Sequence, residues 1–214
     1  MIDKTVIKER FRGLTSPLVD ILDSLGVTPM GVSFAGLALS VLGALFAGAG
    51  MLATGGIILI IASLCDALDG SLARKTGKTS IFGAFFDSNA DRISEFAYFA
   101  ALSFYYSGRG SGIMIFFTLA ALIGSFMTSY SRARAEGLGL DCSVGILERP
   151  ERIVLLVVGL LFGGRILDAV LILLAILSIY TFIQRVMHVR RITGDRQPGE
   201  ISDTMVGEEP PEEI

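Results

Sequence analysis

The sequence predicts an all-α, polytopic membrane protein with six transmembrane helices and an N-terminal interfacial amphipathic helix. Of its 214 residues, 52% are hydrophobic, and the mean hydropathy of +0.65 is too high for an ordinary soluble domain. The apolar residues form segments that approach the roughly 20 residues needed to cross about 30 Å of hydrocarbon. These segments are residues 30–50, 51–74, 81–106, 113–130, 153–163 and 166–187. The fifth is long enough only if it begins near Glu148.

Residues 1–27 are too polar to cross a membrane. Their apolar side chains nevertheless recur at helical spacing, which is typical of a helix that lies in the membrane interface. These side chains are Phe11, Leu14, Leu18, Ile21, Leu22 and Leu25. Thr28 and Pro29 then give a start signal for the first span, because Pro is favoured in the first turn of a helix. Small residues such as Gly36, Ser40 and Gly43 in that span allow close helix packing.

The basic residues indicate the orientation of the spans. If the N-terminus lies inside, the outer loops contain only Arg109 and Arg165, whereas most of the 18 Lys and Arg residues lie in the inner segments. This asymmetry places both termini in the cytoplasm and the protein in the cell membrane. Seven of the 21 acidic residues follow Arg191, so residues 192–214 are expected to form an acidic, disordered tail. The net charge of −3 therefore comes from the tail. Residues 28–191 are predicted to form the transmembrane domain.

Composition excludes several kinds of site. Cys65 and Cys142 do not make a disulfide framework, and a single histidine, His188, excludes a His-rich metal site. The sequence contains no Gly-rich nucleotide fingerprint, zinc-ligand spacing or serine-triad motif. No nucleic-acid partner is expected.

Aspartates lie in or beside segments otherwise suited to hydrocarbon. They are Asp66, Asp69, Asp87 and Asp91. An unpaired charge at membrane depth costs several kcal/mol, so a functional role is the default interpretation. The i, i+3 and i, i+4 spacings place each pair on one face of a helix, and a helical hairpin brings the pairs face to face. Because these carboxylates repel one another, we expect all of them to share two divalent ions, Mg²⁺ or Mn²⁺.

The aspartates belong to the longer pattern D-x-x-D-G-x-x-A-R-x8-G-x-x-x-D-x-x-x-D. Its fixed positions are Asp66, Asp69, Gly70, Ala73, Arg74, Gly83, Asp87 and Asp91. The pattern resembles the signature of the CDP-alcohol phosphotransferase family, and the resemblance extends over about residues 7–191. It implies that the hydroxyl of an acceptor alcohol attacks the lipid-side phosphate of a CDP-linked lipid and that CMP leaves. It further implies that Asp91 is also the general base and that the protein is a homodimer.

The motif also supplies candidate ligands for the CDP-lipid. Gly70 and Gly83 lack side chains and Ala73 has a small one, so a ligand can approach the backbone closely. Arg74 can donate two hydrogen bonds to a phosphate. Together with Thr79, these residues are the predicted CDP-lipid-binding set.

Residues 131–152 concentrate arginines on the same membrane side as the aspartates. Converging guanidinium groups favour an acceptor that carries a phosphate, although lipid headgroups are an alternative ligand. The runs R-A-R-A-E-G-L-G and G-I-x-E-R-x-E-R resemble the phosphatidylinositol phosphate synthase branch, which implies inositol phosphate as acceptor. Matched to that branch, the acceptor-phosphate ligands are Arg132, Arg152 and Arg191. Arg134 and Arg149 are alternatively loop braces that pair with Glu136, Glu148 or Glu151.

Three hypotheses remain open. The first is a phospholipid synthase that uses CDP-diacylglycerol or CDP-archaeol and makes phosphatidylinositol phosphate or its ether-lipid equivalent, with glycerol 3-phosphate or another polar alcohol as alternative acceptor. The second is an intramembrane cation transporter, which requires carboxylates near the bilayer midplane. The third is an intramembrane prenyltransferase, whose Asp-rich sites lack the D-G-x-x-A-R run. Under the first hypothesis, Glu95 and Asp168 are interpreted as structural.

Overall fold

The structure, a computed structural model, describes residues 16–194, and all the regular secondary structure in this part of the chain is α-helix. Helix α1 is described over residues 16–24. The helices that follow are α2 (Pro29–Gly48), α3 (Leu52–Lys75), α4 (Ile81–Gly108), α5 (Gly112–Glu136), α6 (Arg149–Phe162) and α7 (Gly164–Thr193). The all-α prediction is confirmed for these residues. Most of the predicted interfacial segment, residues 1–15, and most of the acidic tail, residues 195–214, lie outside the described range.

Within residues 16–194, four helices are long and apolar enough to cross a membrane, namely α2, α3, α5 and α7. Helix α4 has 28 residues, but its first 15 include Asp87, Asp91 and Glu95. Helix α6 has 14 residues, which gives about 21 Å at 1.5 Å per residue and is less than the hydrocarbon thickness. Length and composition therefore support four of the six predicted spans.

Side-chain caps determine where α2 and α4 begin. The Thr28 hydroxyl accepts a hydrogen bond from the Gly31 amide at 3.1 Å, so the predicted start of α2 is confirmed. The Ser80 hydroxyl accepts one from the Gly83 amide at 2.9 Å and caps α4 in the same way. Only residues 76–80 separate α3 from α4. The last turns of α3 and the first turns of α4, which carry the motif, therefore lie at the same end of the molecule.

Helix α2 packs against both α3 and α4 and holds this hairpin together. The predicted small residues Gly36, Ser40 and Gly43 are all buried. A Cβ atom on Gly36 would lie 3.1 Å from Cys65 Cβ, and one on Gly55 would lie 2.7 Å from the Gly43 carbonyl oxygen. The close approach of α2 and α3 therefore depends on glycine on both helices, as the sequence predicts for α2.

The remaining helices complete the bundle. Helix α5 packs against α4 and α7, and α6 packs against α3 and α7. Their main apolar core includes fully buried residues from three helices, among them Phe99, Leu102, Leu160, Leu171 and Leu174. The core residues of α4 all follow Asp91 along the helix, so most of the core lies farther from the α3–α4 turn than the aspartates do.

Helix α1 is attached to the motif-bearing end of α3. Val19 is buried against Leu68 and Leu72, which flank Asp69 in sequence. Lys75 at the end of α3 forms ion pairs with Asp20 at 2.8 Å and Asp23 at 3.0 Å. Predicted apolar residues in α1 and directly after it that do not join this cluster are exposed, and they are Leu18, Ile21 and Leu25. Helix α1 thus has one side on the protein and one apolar side open.

Candidate functional site

The hairpin brings three of the four motif aspartates together. Carboxylate oxygens of Asp66 and Asp69 on α3 and of Asp87 on α4 all lie within 4.8 Å of one another, and we call this group the aspartate cluster. Asp69 is buried, whereas Asp66 and Asp87 are half-buried. Oxygen ligands at this spacing suit a hard divalent cation, whose distance to each carboxylate oxygen is about 2.0–2.6 Å. The donor set therefore fits Mg²⁺ or Mn²⁺.

Asp91 is connected to the cluster through Arg149. The Arg149 guanidinium donates from Nη1 to Asp66 Oδ2 at 3.0 Å and from Nη2 to Asp91 Oδ1. Asp91, one turn after Asp87 on α4, has a side chain only 13% exposed. The expectation that Arg149 pairs with Glu136, Glu148 or Glu151 is wrong, because Arg149 is the first residue of α6 and that helix end packs towards α3.

Ser33 on α2 adds a contact that the sequence did not indicate. Its hydroxyl lies 2.5 Å from Asp69 Oδ2, with the donor and the acceptor 36 residues apart. A hydroxyl that donates to a candidate ligand fixes the orientation of that carboxylate. The site therefore uses α2 as well as the two helices that carry the motif.

A cavity of ≈ 400 Å³ opens on one side of the cluster. It is lined by all of the predicted CDP-lipid residues, Gly70, Ala73, Arg74, Thr79 and Gly83, and we call it the glycine cavity. Asp69 and Asp87 form its inner wall. The structure thus brings the predicted set together beside two of the candidate metal ligands.

A second cavity of ≈ 610 Å³ lies on the other side of the cluster, and Asp91 lines it. We call it the arginine cavity because its lining includes Arg132, Arg149, Arg152 and Arg185. Arg132 is exposed to this space and pairs with Glu136 at 2.7 Å. Arg191, the third predicted acceptor ligand, is exposed in the last turn of α7 and is absent from the described lining.

Arg152 is the most enclosed of these arginines, at 2% exposed. Its Nε donates to Glu95 Oε1 at 2.8 Å, and its Nη2 donates to Glu95 Oε2 and to Ser129 Oγ, each at 3.2 Å. Glu95 is therefore structural in the sense that it holds Arg152. Asp168 accepts a hydrogen bond from Tyr106 at 2.5 Å, far along α4 from the motif.

Arg185 of α7 was not among the predicted site residues. It is buried and donates to the carbonyl oxygens of Thr128, at 2.5 Å, and Val144, at 2.8 Å. These contacts tie α5 and the segment between α5 and α6 to α7. Arg185 therefore helps to fix the segment that leads into α6, whose first turn carries Arg149 and Arg152.

Comparison with known proteins agrees with this geometry. The family described as CDP-alcohol phosphatidyltransferase matches residues 26–186, which is most of the chain. The chain belongs to this family. The resemblance drawn from the motif is confirmed, and the family match includes both the aspartate cluster and the arginines that line the second cavity.

Relatives within the family are known from bacteria and archaea. The phosphatidylinositol phosphate synthase of Mycobacteroides abscessus is 37% identical over 194 residues, covering 87% of this chain and 88% of the relative. The archaetidylinositol phosphate synthase of Pyrococcus horikoshii is 39% identical over 171 residues, covering 79% of this chain and 87% of the relative.

Solved structures of a family member have the same fold. The crystal structure of Mycobacterium tuberculosis phosphatidylinositol phosphate synthase with CDP-DAG bound has a TM-score of 0.80 and 34% identity, covering 86% of this chain and 98% of that one. The same synthase in complex with manganese and citrate gives a TM-score of 0.76.

Proposed function

We propose that this protein is an integral membrane enzyme of phospholipid biosynthesis. It transfers the phosphatidyl or archaetidyl group of a CDP-linked lipid to a hydroxyl of inositol phosphate and releases CMP. The observation that carries the proposal is the position of the aspartates between two cavities, with Asp69 and Asp87 lining the glycine cavity and Asp91 lining the arginine cavity. Family membership and the activities named for the relatives support the same reaction.

Asp66, Asp69, Asp87 and Asp91 are the proposed ligands of two divalent ions, Mg²⁺ or Mn²⁺. The fit rests on the carboxylate oxygens that lie within 4.8 Å of one another, since such oxygens repel unless cations lie among them. When bound, the ions neutralise the diphosphate of the CDP-lipid and polarise the phosphorus that is attacked. A relative crystallised with manganese supports this choice of ion.

The glycine cavity is the proposed site of the CDP-lipid. Gly70 and Gly83 let the ligand approach the backbone, and Ala73 and Thr79 complete the wall. Arg74 is one turn from Gly70, with Nη1 3.4 Å from where a Gly70 Cβ would lie. Its guanidinium is thus placed to donate to a phosphate that lies over the glycine.

The arginine cavity is the proposed site of inositol phosphate. Arg132, Arg152 and Arg191 are proposed to bind its phosphate, and Arg132 is the most accessible of those that line the cavity. Asp91 is the proposed general base, because it lines this cavity beside the aspartate cluster. A base must lie within about 3 Å of the acceptor hydroxyl to remove its proton.

The proposed membrane arrangement has six spans, with the site and both termini in the cytoplasm. The four apolar helices and the 28-residue length of α4 support the spans, and the basic residues at the site end support the orientation. A homodimer is proposed from the family resemblance alone. The open apolar side of α1 supports an interfacial location for residues 1–27. Residues 28–191 would form the catalytic domain, and residues 192–214 the cytoplasmic tail.

Release of CMP by the purified protein tests the proposal. CDP-diacylglycerol and CDP-archaeol are each supplied with Mg²⁺ or Mn²⁺ and with inositol phosphate, glycerol 3-phosphate, free inositol or serine. We expect metal-dependent CMP release with inositol phosphate and little with free inositol. Release with glycerol 3-phosphate instead would change the acceptor, and ion flux into liposomes without CMP release would favour a cation transporter.

A further inference from the structure

Arg149 contacts the site in a way that the proposed reaction does not require. Its guanidinium bridges Asp66 and Asp91, which are both proposed metal ligands, and Asp91 is also the proposed base. A positive charge held between them competes with a divalent ion for both carboxylates and keeps Asp91 from an acceptor hydroxyl. Arg149 in this position therefore opposes both steps that the aspartates are proposed to perform.

The same side chain also faces the arginine cavity. Arg149 lines that cavity, and its buried Nε has no hydrogen-bond partner among the described residues. A buried N–H without a partner is unfavourable, so a movement of the side chain that gives Nε an acceptor is favoured. Arg149 thus has two donors on the aspartates and one donor without an acceptor among the described residues.

Arg149 differs in this respect from the other arginines that line the cavity. Arg152 is held by Glu95 and Ser129, and Arg185 is held by backbone carbonyls of Thr128 and Val144. Arg132 pairs with Glu136 on its own helix. Of these four arginines, Arg149 is the one that forms ion pairs with motif aspartates, Asp66 and Asp91.

We propose that Arg149 is a positioning residue that exchanges partners when a phosphate group enters the arginine cavity. It neutralises Asp66 and Asp91 until the phosphate attracts its guanidinium, and the two carboxylates are then free for a divalent ion and for the acceptor hydroxyl. A phosphorylated acceptor therefore prepares the site for its own reaction, whereas an unphosphorylated alcohol does not. This inference rests on the proposed function and adds a binding order and a basis for acceptor selection.

The exchange predicts that anion and metal binding are coupled. Coupling is reciprocal: each ligand changes the affinity for the other by the same factor, commonly about 5- to 150-fold. Inositol phosphate should tighten Mn²⁺ binding to the wild-type protein on the order of 10-fold, and free inositol should not. Arg149→Gln should tighten Mn²⁺ binding on the order of 10-fold with no anion present, and inositol phosphate should then add little.

The experiment is a Mn²⁺ titration of the full-length protein in detergent, with free Mn²⁺ followed by electron paramagnetic resonance. Arg134→Gln, which removes an exposed positive charge from the same region, is the control and should change Mn²⁺ affinity by less than about twofold because exposed charges are screened. Arg149→Lys keeps the charge but lacks the fork that spans two carboxylates, so its affinity should lie between those of wild type and Arg149→Gln.

Unchanged or weaker Mn²⁺ binding in Arg149→Gln would overturn the exchange, because a residue that merely supports the carboxylates would lower the affinity when it is lost. If that variant does not fold, the wild-type protein still decides, since an inositol phosphate effect no larger than that of free inositol also overturns the proposal. The titration does not depend on turnover. A protein that shows the coupling but releases no CMP would retain the exchange and refute the proposed reaction.

Discussion

Removing either member of the Arg152–Glu95 pair should destabilise the protein more than removing both. Arg152 and Glu95 share two hydrogen bonds, at 2.8 and 3.2 Å, and are only 2% and 11% exposed. Truncating one partner leaves the other charge buried and unpaired, which costs about 3–5 kcal/mol. We therefore expect Arg152→Leu and Glu95→Leu each to lower the free energy of unfolding by about 3–5 kcal/mol, and the double variant to lower it by less than either single change.

The assay is a double-mutant cycle on unfolding in mixed detergent micelles, followed by circular dichroism. Arg132 and Glu136 provide a matched control pair, since they are bonded at 2.7 Å but are 45% and 52% exposed. An exposed pair at this helical spacing contributes about 0.3–0.5 kcal/mol, so its cycle should show little coupling. Equal coupling in the two pairs, or additive losses for Arg152 and Glu95, would refute the reasoning from burial.

Further predictions concern the base, a second contact to the cluster and the helix packing. Asp91→Asn should lower turnover by about 10²–10⁴-fold while CDP-diacylglycerol binding stays measurable, and near-normal turnover would remove Asp91 from the base role. Ser33→Ala should weaken Mn²⁺ binding by about 10-fold or more, because the Asp69 carboxylate loses its hydroxyl partner at 2.5 Å. The control Ser103→Ala, which removes only a hydrogen bond to the Phe99 carbonyl of the same helix, should leave Mn²⁺ binding unchanged. Equal effects of the two substitutions would contradict the role of Ser33. Gly55→Ala should lower the free energy of unfolding by about 1–3 kcal/mol, since its Cβ would lie 2.7 Å from the Gly43 carbonyl oxygen. Gly108→Ala, with open space around the added Cβ, is the control, and an equally stable Gly55→Ala would show that α2 and α3 can separate without cost.

Features determined by local sequence could be predicted. The i, i+3 and i, i+4 aspartate spacings, with a short connection, were enough to bring Asp66, Asp69 and Asp87 together. Thr28 and Pro29 identified the start of α2 because a cap and its helix are adjacent in sequence. The glycine cavity could be predicted for the same reason, since its predicted residues all come from one hairpin.

Contacts between distant parts of the chain were missed. Ser33 and Asp69 are 36 residues apart, Arg149 and Asp66 are 83 apart, and Arg152 and Glu95 are 57 apart. A single sequence contains no periodic signal for such partners, so it offers only nearby glutamates as alternative partners for Arg149. The end of α6 was predictable, because Gly163 directly follows the helix and adopts a positive φ, which favours glycine.

The location of bound Mn²⁺ tests the central claim most directly. Anomalous diffraction from crystals grown with Mn²⁺ and CDP-diacylglycerol should reveal two peaks about 3.5–4 Å apart among the carboxylates of Asp66, Asp69, Asp87 and Asp91, with the diphosphate beside them. Peaks away from these side chains, or a diphosphate bound without any ion next to Asp66 and Asp87, would contradict the account.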